Sequence, residues 1–297
     1  MTRATPLGGE GREAAIGGDV RREFHFVFGL RPQTEPFHLM HYLALESCRR
    51  TQDPDAIHLH LRHEPYGPWW ERIAPHLTLH RVAAAPRGFD RARYAETVEG
   101  RFIETHGWGY AHEADFVRLE VLLARGGAYA DIDTLFVERY PDAWFARECV
   151  IGEEPAIVLD DGIAHPSLCN AVIVARPGAR FVARWLDEAR ASFDGTWSRH
   201  SCAAAARLWQ DAGDSLHVLP QHVLYRLGPT RAGIAALFEE VEPRLERVAS
   251  LHLWAHLWWD EARVDFTRFH AGAFTREWVE RGEATVASIA RRYLSPD

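Results

Sequence analysis

The chain has 297 residues, of which 47% are hydrophobic and 26% charged, so it can bury a large core without help from disulfides or metals. Its net charge of −8 argues against nucleic-acid binding, because phosphate backbones require a basic surface. All 34 basic residues are arginine, which excludes chemistry that depends on a Schiff-base lysine or a phosphate-loop lysine.

The cysteines, the apolar runs and the amino terminus all bear on localisation. The four cysteines are far apart and form no CxxC pair, which favours reduced, buried thiols. No run approaches the ~18 consecutive apolar residues of a membrane-spanning helix. Residues 1–22 are rich in glycine and charge and lack the apolar stretch of a signal peptide, so they predict a disordered tail. We therefore expect a cytoplasmic protein with a single domain over residues 23–297.

Strands and helices alternate in the predicted order of elements. Strands are expected at residues 22–29, 56–61 and 77–82, and helices at 37–50 and 68–74. This order is typical of an α/β fold with a parallel sheet flanked by helices, in which ligands bind at the carboxyl ends of the strands. The amphipathic segment 274–294 predicts a helix that closes the domain.

Residues 112–137 form the most informative segment. A helix ends at the pair Gly126–Gly127, a short apolar strand follows, and Asp131 and Asp133 come directly after it. Alternate residues of an extended chain point the same way, so both carboxylates can face one point beyond the sheet. Two oxygen ligands there suit a hard divalent cation that also holds a diphosphate.

The preceding helix adds an acidic and a basic side chain on one face. Asp115 and Arg118 lie three residues apart and share a helix face, where they could grip sugar hydroxyls and phosphate oxygens. Asp-x-Asp alone carries little weight, since it also occurs at Asp53–Asp55, where the intervening proline favours a turn. The weight comes from the combination of helix, glycine pair, aromatic residue and Asp-x-Asp.

This combination resembles the sugar-binding DXD family of GT-A glycosyltransferases, which includes yeast-type α-mannosyltransferases, α1,4-galactosyl- and N-acetylglucosaminyltransferases and the catalytic domains of clostridial glucosylating toxins. The family pattern is Asp-hydrophobic-x-Arg followed by Gly-Gly-x-Tyr-x-Asp-x-Asp. The residues that match it in order are Asp115, Arg118, Gly126, Gly127, Tyr129, Asp131 and Asp133. The resemblance implies a GT-A fold, with a Rossmann-like, mostly parallel sheet and the DXD motif at a strand end.

The resemblance also implies an activity. It indicates a metal-dependent, retaining transfer of a sugar from a nucleotide-sugar, with UDP-sugars favoured and GDP-mannose as the other donor, to an unknown glycan, small-molecule or protein acceptor. Mn²⁺ or Mg²⁺ would neutralise the departing diphosphate. Asp133 is expected to be the main metal ligand, and Asp131 to contact the metal through water or to contact the ribose. Asp115 and Arg118 complete the expected catalytic set and contact the donor.

Other stretches match the family more loosely. Phe28 is expected to stack on the nucleotide base, with a buried core position as the alternative. Tyr129 and Asn170 are expected near the donor, although asparagine at a strand start is also ordinary turn chemistry. His252 is the candidate third metal ligand, and His256 is the second choice.

A tryptophan pair and a histidine pair each allow a structural and a functional interpretation. Trp258 and Trp259 could form a sugar-stacking platform at the acceptor mouth, or could pack in the core. His58 and His60 are interpreted as one face of a strand, not as a zinc site.

Two rival functions would also suit parts of this sequence. One is a non-catalytic protein on the same scaffold that binds a nucleotide-sugar or glycan, although the complete motif argues against loss of activity. The other is a nucleotidyltransferase, but the segment after the first strand is too short and poor in glycine to form its phosphate loop.

Overall fold

The computed structural model describes residues 21–83, 93–98, 101–106, 109–158, 164–262 and 266–294; the tail predicted over residues 1–22 lies almost wholly outside them. The strands are β1 (Glu23–Val27), β2 (Ala56–Leu61), β3 (Thr78–Arg81), β4 (Arg93–Val98), β5 (Arg101–His106), β6 (Gly127–Ala130), β7 (Thr134–Phe136), β8 (Cys149–Val158), β9 (Ala164–Ala175), β10 (His217–Leu219) and β11 (Ser250–His252). The helices are α1 (Leu39–Gln52), α2 (Pro68–Ile73), α3 (Gly109–Arg125), α4 (Asp142–Phe145), α5 (Arg180–Ser192), α6 (Cys202–Trp209), α7 (Gln221–Leu224), α8 (Arg231–Phe238), α9 (Arg276–Arg281) and α10 (Thr285–Ala290). None of the helices in this described part is both long and apolar enough to cross a membrane.

Seven strands form the central sheet, in the order β10, β8, β9, β6, β1, β2, β3. Strand β9 runs antiparallel to both of its neighbours, whereas the other adjacent strands pair in parallel. The expected strand–helix–strand–helix–strand order corresponds to β1, α1, β2, α2 and β3. The predicted α/β class with a mostly parallel sheet is therefore confirmed, and the antiparallel β9 is an addition to it.

Side-chain alternation along the strands divides the core into two layers. Phe24 and Phe26 of β1 pack in the layer that contains α1 and the carboxyl-terminal helices. Val27 faces the other layer, where it joins Leu119 of α3 and Trp185 of α5. The sheet is thus covered on both faces, which is what parallel strands rich in apolar residues require.

The glycine pair ends α3 as predicted. Gly126 and Gly127 have φ values of 69° and 91°, in the left-handed region that side chains disfavour. A Cβ atom on Gly127 would lie 2.5 Å from the carbonyl oxygen of Glu23. The pair therefore allows the chain to turn sharply out of α3 and into β6 beside β1.

The carboxyl-terminal segment is not the single helix that its amphipathic pattern predicts. It forms two short helices, α9 and α10, separated by Gly282. The amide of Gly282 donates to the carbonyl of Trp278 at 2.7 Å and closes α9. A Cβ at residue 282 would lie 2.5 Å from that carbonyl oxygen, so glycine is what permits the break.

Buried histidines predict a loss of stability in acid. Burial lowers the pKa of His25 and of His60 to about 3, whereas an unfolded chain protonates histidine near pH 6.5. The stability that these neutral rings contribute is complete above pH 6.5 and is lost as the pH falls from there towards 3. Each ring accounts for up to about 1.4 kcal/mol per pH unit. In EDTA, the free energy of unfolding of His60→Leu should fall less steeply between pH 6 and 4 than that of the unsubstituted protein; equal slopes would contradict this.

Candidate active site

The two aspartates of the Asp-x-Asp motif lie in a tight turn at the carboxyl end of β6. The amide of Asp131 donates to the carbonyl of Ala171 in β9 at 2.8 Å, and the amide of Thr134 donates to the carbonyl of Asp131 at 2.9 Å. The carboxylates therefore converge because the chain turns, and the expectation of an extended segment between them was wrong. The expected position at a strand end is correct.

Strand β11 brings a histidine to this turn. β11 pairs antiparallel with β7, with His252 opposite Thr134, the residue that follows Asp133. His252 Nε2 lies 3.1 Å from Asp133 Oδ1 and 3.8 Å from Asp131 Oδ2. The second oxygen of Asp133 accepts the amide of Ala255 at 2.8 Å. Pairing of β11 with β7 thus fixes an aspartate–histidine contact across 119 residues of sequence.

His252 and not His256 joins the aspartates. One ligand atom from each of Asp131, Asp133 and His252 lies within 4.8 Å of the others. The ring of His256 lies instead against Trp197, with centroids 5.5 Å apart. Two carboxylates and an imidazole are donors that first-row divalent cations accept, so the residues fit the metal that the resemblance implies.

The pKa shifts reflect burial and the close charges. Burial would raise the pKa of Asp133, but the contact with His252 outweighs it and holds the pKa well below its ordinary range. Burial would lower the pKa of His252, but the charges of Asp133 and Asp131 outweigh burial and raise that pKa above its ordinary value. Burial raises the pKa of Asp131, and Arg118 only partly opposes that rise. Asp133 is accordingly the more firmly ionised member of the aspartate pair.

Arg118 lies beside the Asp-x-Asp turn, and each nitrogen of its guanidinium contacts a protein oxygen. Nη2 pairs with Asp115 at 2.9 Å, and Nη1 contacts Asp131 at 3.3 Å and donates to the carbonyl of Asn170 at 2.6 Å. Nε donates to the carbonyl of Ala114 at 3.4 Å. The carboxylates raise its pKa although burial would lower it, so Arg118 is permanently charged. Its donors face protein oxygens and it pairs with two carboxylates, and the expected contact of Arg118 with the donor stays a prediction.

Tyr129 contacts both Arg118 and Asp131. Its ring lies 4.6 Å from the guanidinium carbon of Arg118, and its hydroxyl donates to Asp131 Oδ1 at 2.6 Å. The side chain is 1% exposed. The hydroxyl therefore fixes one oxygen of Asp131, and the expected contact of Tyr129 with the donor stays a prediction.

Asp115 is held by residues from three parts of the chain: α3 itself, β9 and the segment between α5 and α6. Oδ1 accepts Nδ2 of Asn170 at 2.7 Å in addition to Arg118, and Oδ2 lies 2.9 Å from Nε2 of His200. Burial would raise the pKa of Asp115, but Arg118 and His200 lower it. The structure thus brings Asn170 to the expected site. His200 was not predicted, and no local pattern marks a histidine that lies 85 residues away in sequence.

The remaining predicted residues take different places. Phe28 is partly buried and meets Phe37 edge-on, with centroids 5.2 Å apart. Trp258 is fully buried against Phe238, so the platform interpretation was wrong and core packing is correct. Trp259 is partly buried and stacks on His41 at 5.2 Å.

Comparison with known proteins bears on what this site is. Residues 41–151 match the family model described as the glycosyltransferase sugar-binding region containing the DXD motif. The matched segment contains the carboxylates and Arg118 described above. Residues 41–151 thus resemble a glycosyltransferase sugar-binding region. The resemblance stated from the motif is confirmed, and such a region implies a sugar donor.

A curated relative and a solved structure were also found for the chain. The relative is glucan organizing enzyme 1 of Cryptococcus neoformans var. grubii, which is 29% identical over 208 residues that cover 68% of this chain and 52% of that protein. The chain thus spans about half the length of this relative. The structure is the PaToxG glycosyltransferase, at 14% identity and a TM-score of 0.40, covering 64% of this chain and 69% of that one. His252 lies beyond the sugar-binding region, in β11.

Arg118 supplies a stability prediction. Arg118→Met leaves Asp115 and Asp131 close together without their shared counter-charge, so the free energy of unfolding should fall by about 3–5 kcal/mol. The matched control is Arg190→Met, which breaks an exposed pair with Glu120 at 2.9 Å and should cost less than about 1 kcal/mol. Urea unfolding followed by circular dichroism measures both; equal losses would contradict the role given to Arg118.

Proposed function

We propose that the protein is a metal-dependent, retaining glycosyltransferase that moves a sugar from a nucleotide-sugar to an acceptor hydroxyl. UDP-sugars are the favoured donors and GDP-mannose is the second. The observation that carries the proposal is the convergence of Asp131, Asp133 and His252 beside the buried Asp115–Arg118 pair. Residues 23–297 are proposed to act as one catalytic domain, since β11 completes a site built around α3 and β6.

The charge of the site supports a cation. Arg118 pairs with Asp115 and Asp131, and Asp133 contacts His252, so three carboxylates face at most two cationic groups. A diphosphate would be repelled from such a site unless a cation offset the excess. Asp131, Asp133 and His252 are the residues that would hold Mn²⁺ or Mg²⁺, which when bound would neutralise charge on the leaving diphosphate.

Asp115 is the residue proposed to orient the donor sugar. Its carboxylate is fixed by Asn170, Arg118 and His200, and a carboxylate held on several sides loses little further freedom when it accepts sugar hydroxyls. Arg118 is proposed to keep both carboxylates ionised and in place. Phe28, at the carboxyl end of β1, is proposed to contact the base.

The acceptor is proposed to bind on the donor-sugar side of the site, near Asn170. Its hydroxyl would attack the anomeric carbon on the face from which the diphosphate departs, because the motif supplies no separate enzyme nucleophile. The diphosphate oxygen would then take the proton of the attacking hydroxyl. The name of the curated relative makes glucan oligosaccharides a reasonable first acceptor set to try.

The test is release of nucleoside diphosphate from a panel of nucleotide-sugars, with Mn²⁺, with Mg²⁺ and with EDTA. Slow donor hydrolysis needs no acceptor, and glucan oligosaccharides are added in parallel. One donor should be cleaved in a metal-dependent manner, and Asp133→Asn should reduce the rate at least about 100-fold, as loss of a charge-stabilising group does.

Asp53→Asn is the matched control, since it makes the same substitution in the chain's other Asp-x-Asp motif, at a side chain that is 94% exposed. It should leave the rate unchanged. Near-normal turnover by Asp133→Asn, or turnover that persists in EDTA, would refute the proposed metal role. A third outcome is no turnover of any donor, together with a melting temperature that nucleoside diphosphate raises only when Mn²⁺ is present. That outcome would favour a binding protein instead.

A further inference from the structure

A cluster of histidines occupies the α3-facing side of the sheet, apart from the candidate active site. It consists of one residue from β1, two from β2 and one from β3, together with a glutamate at the start of β1: His25, His58, His60, His80 and Glu23. Strand pairing places His25 opposite His58 and His60 opposite His80. The three histidines of β1 and β2 are buried.

The protons in this cluster can be assigned from its hydrogen bonds. His25 Nε2 lies 3.0 Å from the carbonyl oxygen of Gly126, which can only accept, so Nε2 carries the proton. Burial lowers the pKa of His25 to about 3, so the ring is neutral. In the neutral ring Nδ1 is then the acceptor: it lies 3.2 Å from Nε2 of His60 and accepts a hydrogen bond from it, which a bound ion would replace. A second nitrogen fixed on a backbone carbonyl is the arrangement that holds metal-binding histidines in one tautomer.

His58 presents a ring nitrogen without a hydrogen bond to the described residues. Its Nδ1 lies 2.9 Å from Nε2 of His80, which fixes the ring. Its Nε2 is buried and makes no hydrogen bond to the described residues, although Glu23 Oε2 lies 3.3 Å away. The Glu23 side chain is 19% exposed and so gives the cluster a route to solvent.

We propose that Glu23, His25 and His58 form a zinc site, which revises the interpretation of His58 drawn from the sequence alone. One ligand atom from each lies within 4.8 Å of the other two. Ligands about 2.1 Å from a zinc ion lie at most about 4.2 Å apart, so small side-chain rotations would close the site. The rings of His25 and His58 are stacked at 4.7 Å with planes 16° apart, so at least one ring tilts when the ion binds.

Two imidazoles and one carboxylate favour zinc over the harder Mg²⁺ and Mn²⁺, because imidazole is a borderline ligand. The site lies towards the amino ends of β1 and β2, whereas Asp131 follows the carboxyl end of β6, which is parallel to β1. The ion would therefore link two adjacent strands away from the candidate active site. This inference is independent of the proposed sugar transfer.

The test uses tag-free protein treated with EDTA and then freed of the chelator. Asp133→Asn is used as the background so that the candidate active site contributes little binding. Calorimetric titration with Zn²⁺ at pH 7.5 should show one equivalent bound, and Zn²⁺ should raise the melting temperature. Adding His58→Gln, or the milder Glu23→Gln, should weaken binding at least about 10-fold and remove the thermal shift.

His217→Gln, in the edge strand β10 at the opposite side of the sheet, is the control and should bind zinc as the background does. Circular dichroism at each step checks that the variants are folded. Absence of a zinc equivalent, or binding that neither Glu23→Gln nor His58→Gln weakens, would overturn the proposal and leave the cluster as a neutral packing arrangement.

Discussion

The guanidinium of Arg118 is the group on which the candidate site depends. Asp115 lies in α3 and Asp131 in the turn after β6, and only 14% and 25% of their side chains are exposed. Two carboxylates in such a place repel each other and tend to take up protons. A permanently charged arginine between them, fixed by backbone carbonyls and resting on Tyr129, lets both stay close and oriented.

The fold supplies the geometry around this charge. α3 carries Asp115 and Arg118, and the glycine pair after it turns the chain into β6 so that Asp131 emerges at the carboxyl end of the strand. β7 then pairs with β11, which places His252 over Asp133. A site built in this way joins residues of the matched sugar-binding region to a strand near the carboxyl terminus.

The local part of this arrangement was predictable from the sequence. The α/β order followed from the spacing of apolar runs, and the helix, glycine pair and Asp-x-Asp motif are contiguous. His252 was predicted from the family resemblance. His200 was not, because its contact with Asp115 depends on how the segment after α5 packs against α3.

Predictions also failed where tertiary packing overrides a local rule. An extended Asp131–Asp133 segment was expected from strand periodicity, yet hydrogen bonds to neighbouring chain segments make it a turn. The amphipathic pattern of residues 274–294 continues across Gly282, but the backbone does not. Trp258 could not be assigned to core or surface until its neighbours were known, because tryptophan serves in both places.

The most direct measurement is calorimetric binding of UDP and of GDP to the unsubstituted protein and to His252→Ala, in Mn²⁺ and in EDTA. If Asp131, Asp133 and His252 hold the cation that makes an acidic site accept a diphosphate, one nucleotide will bind in Mn²⁺, binding will be lost in EDTA, and His252→Ala will weaken it. Equal affinity in Mn²⁺ and EDTA, unchanged by His252→Ala, would contradict that arrangement.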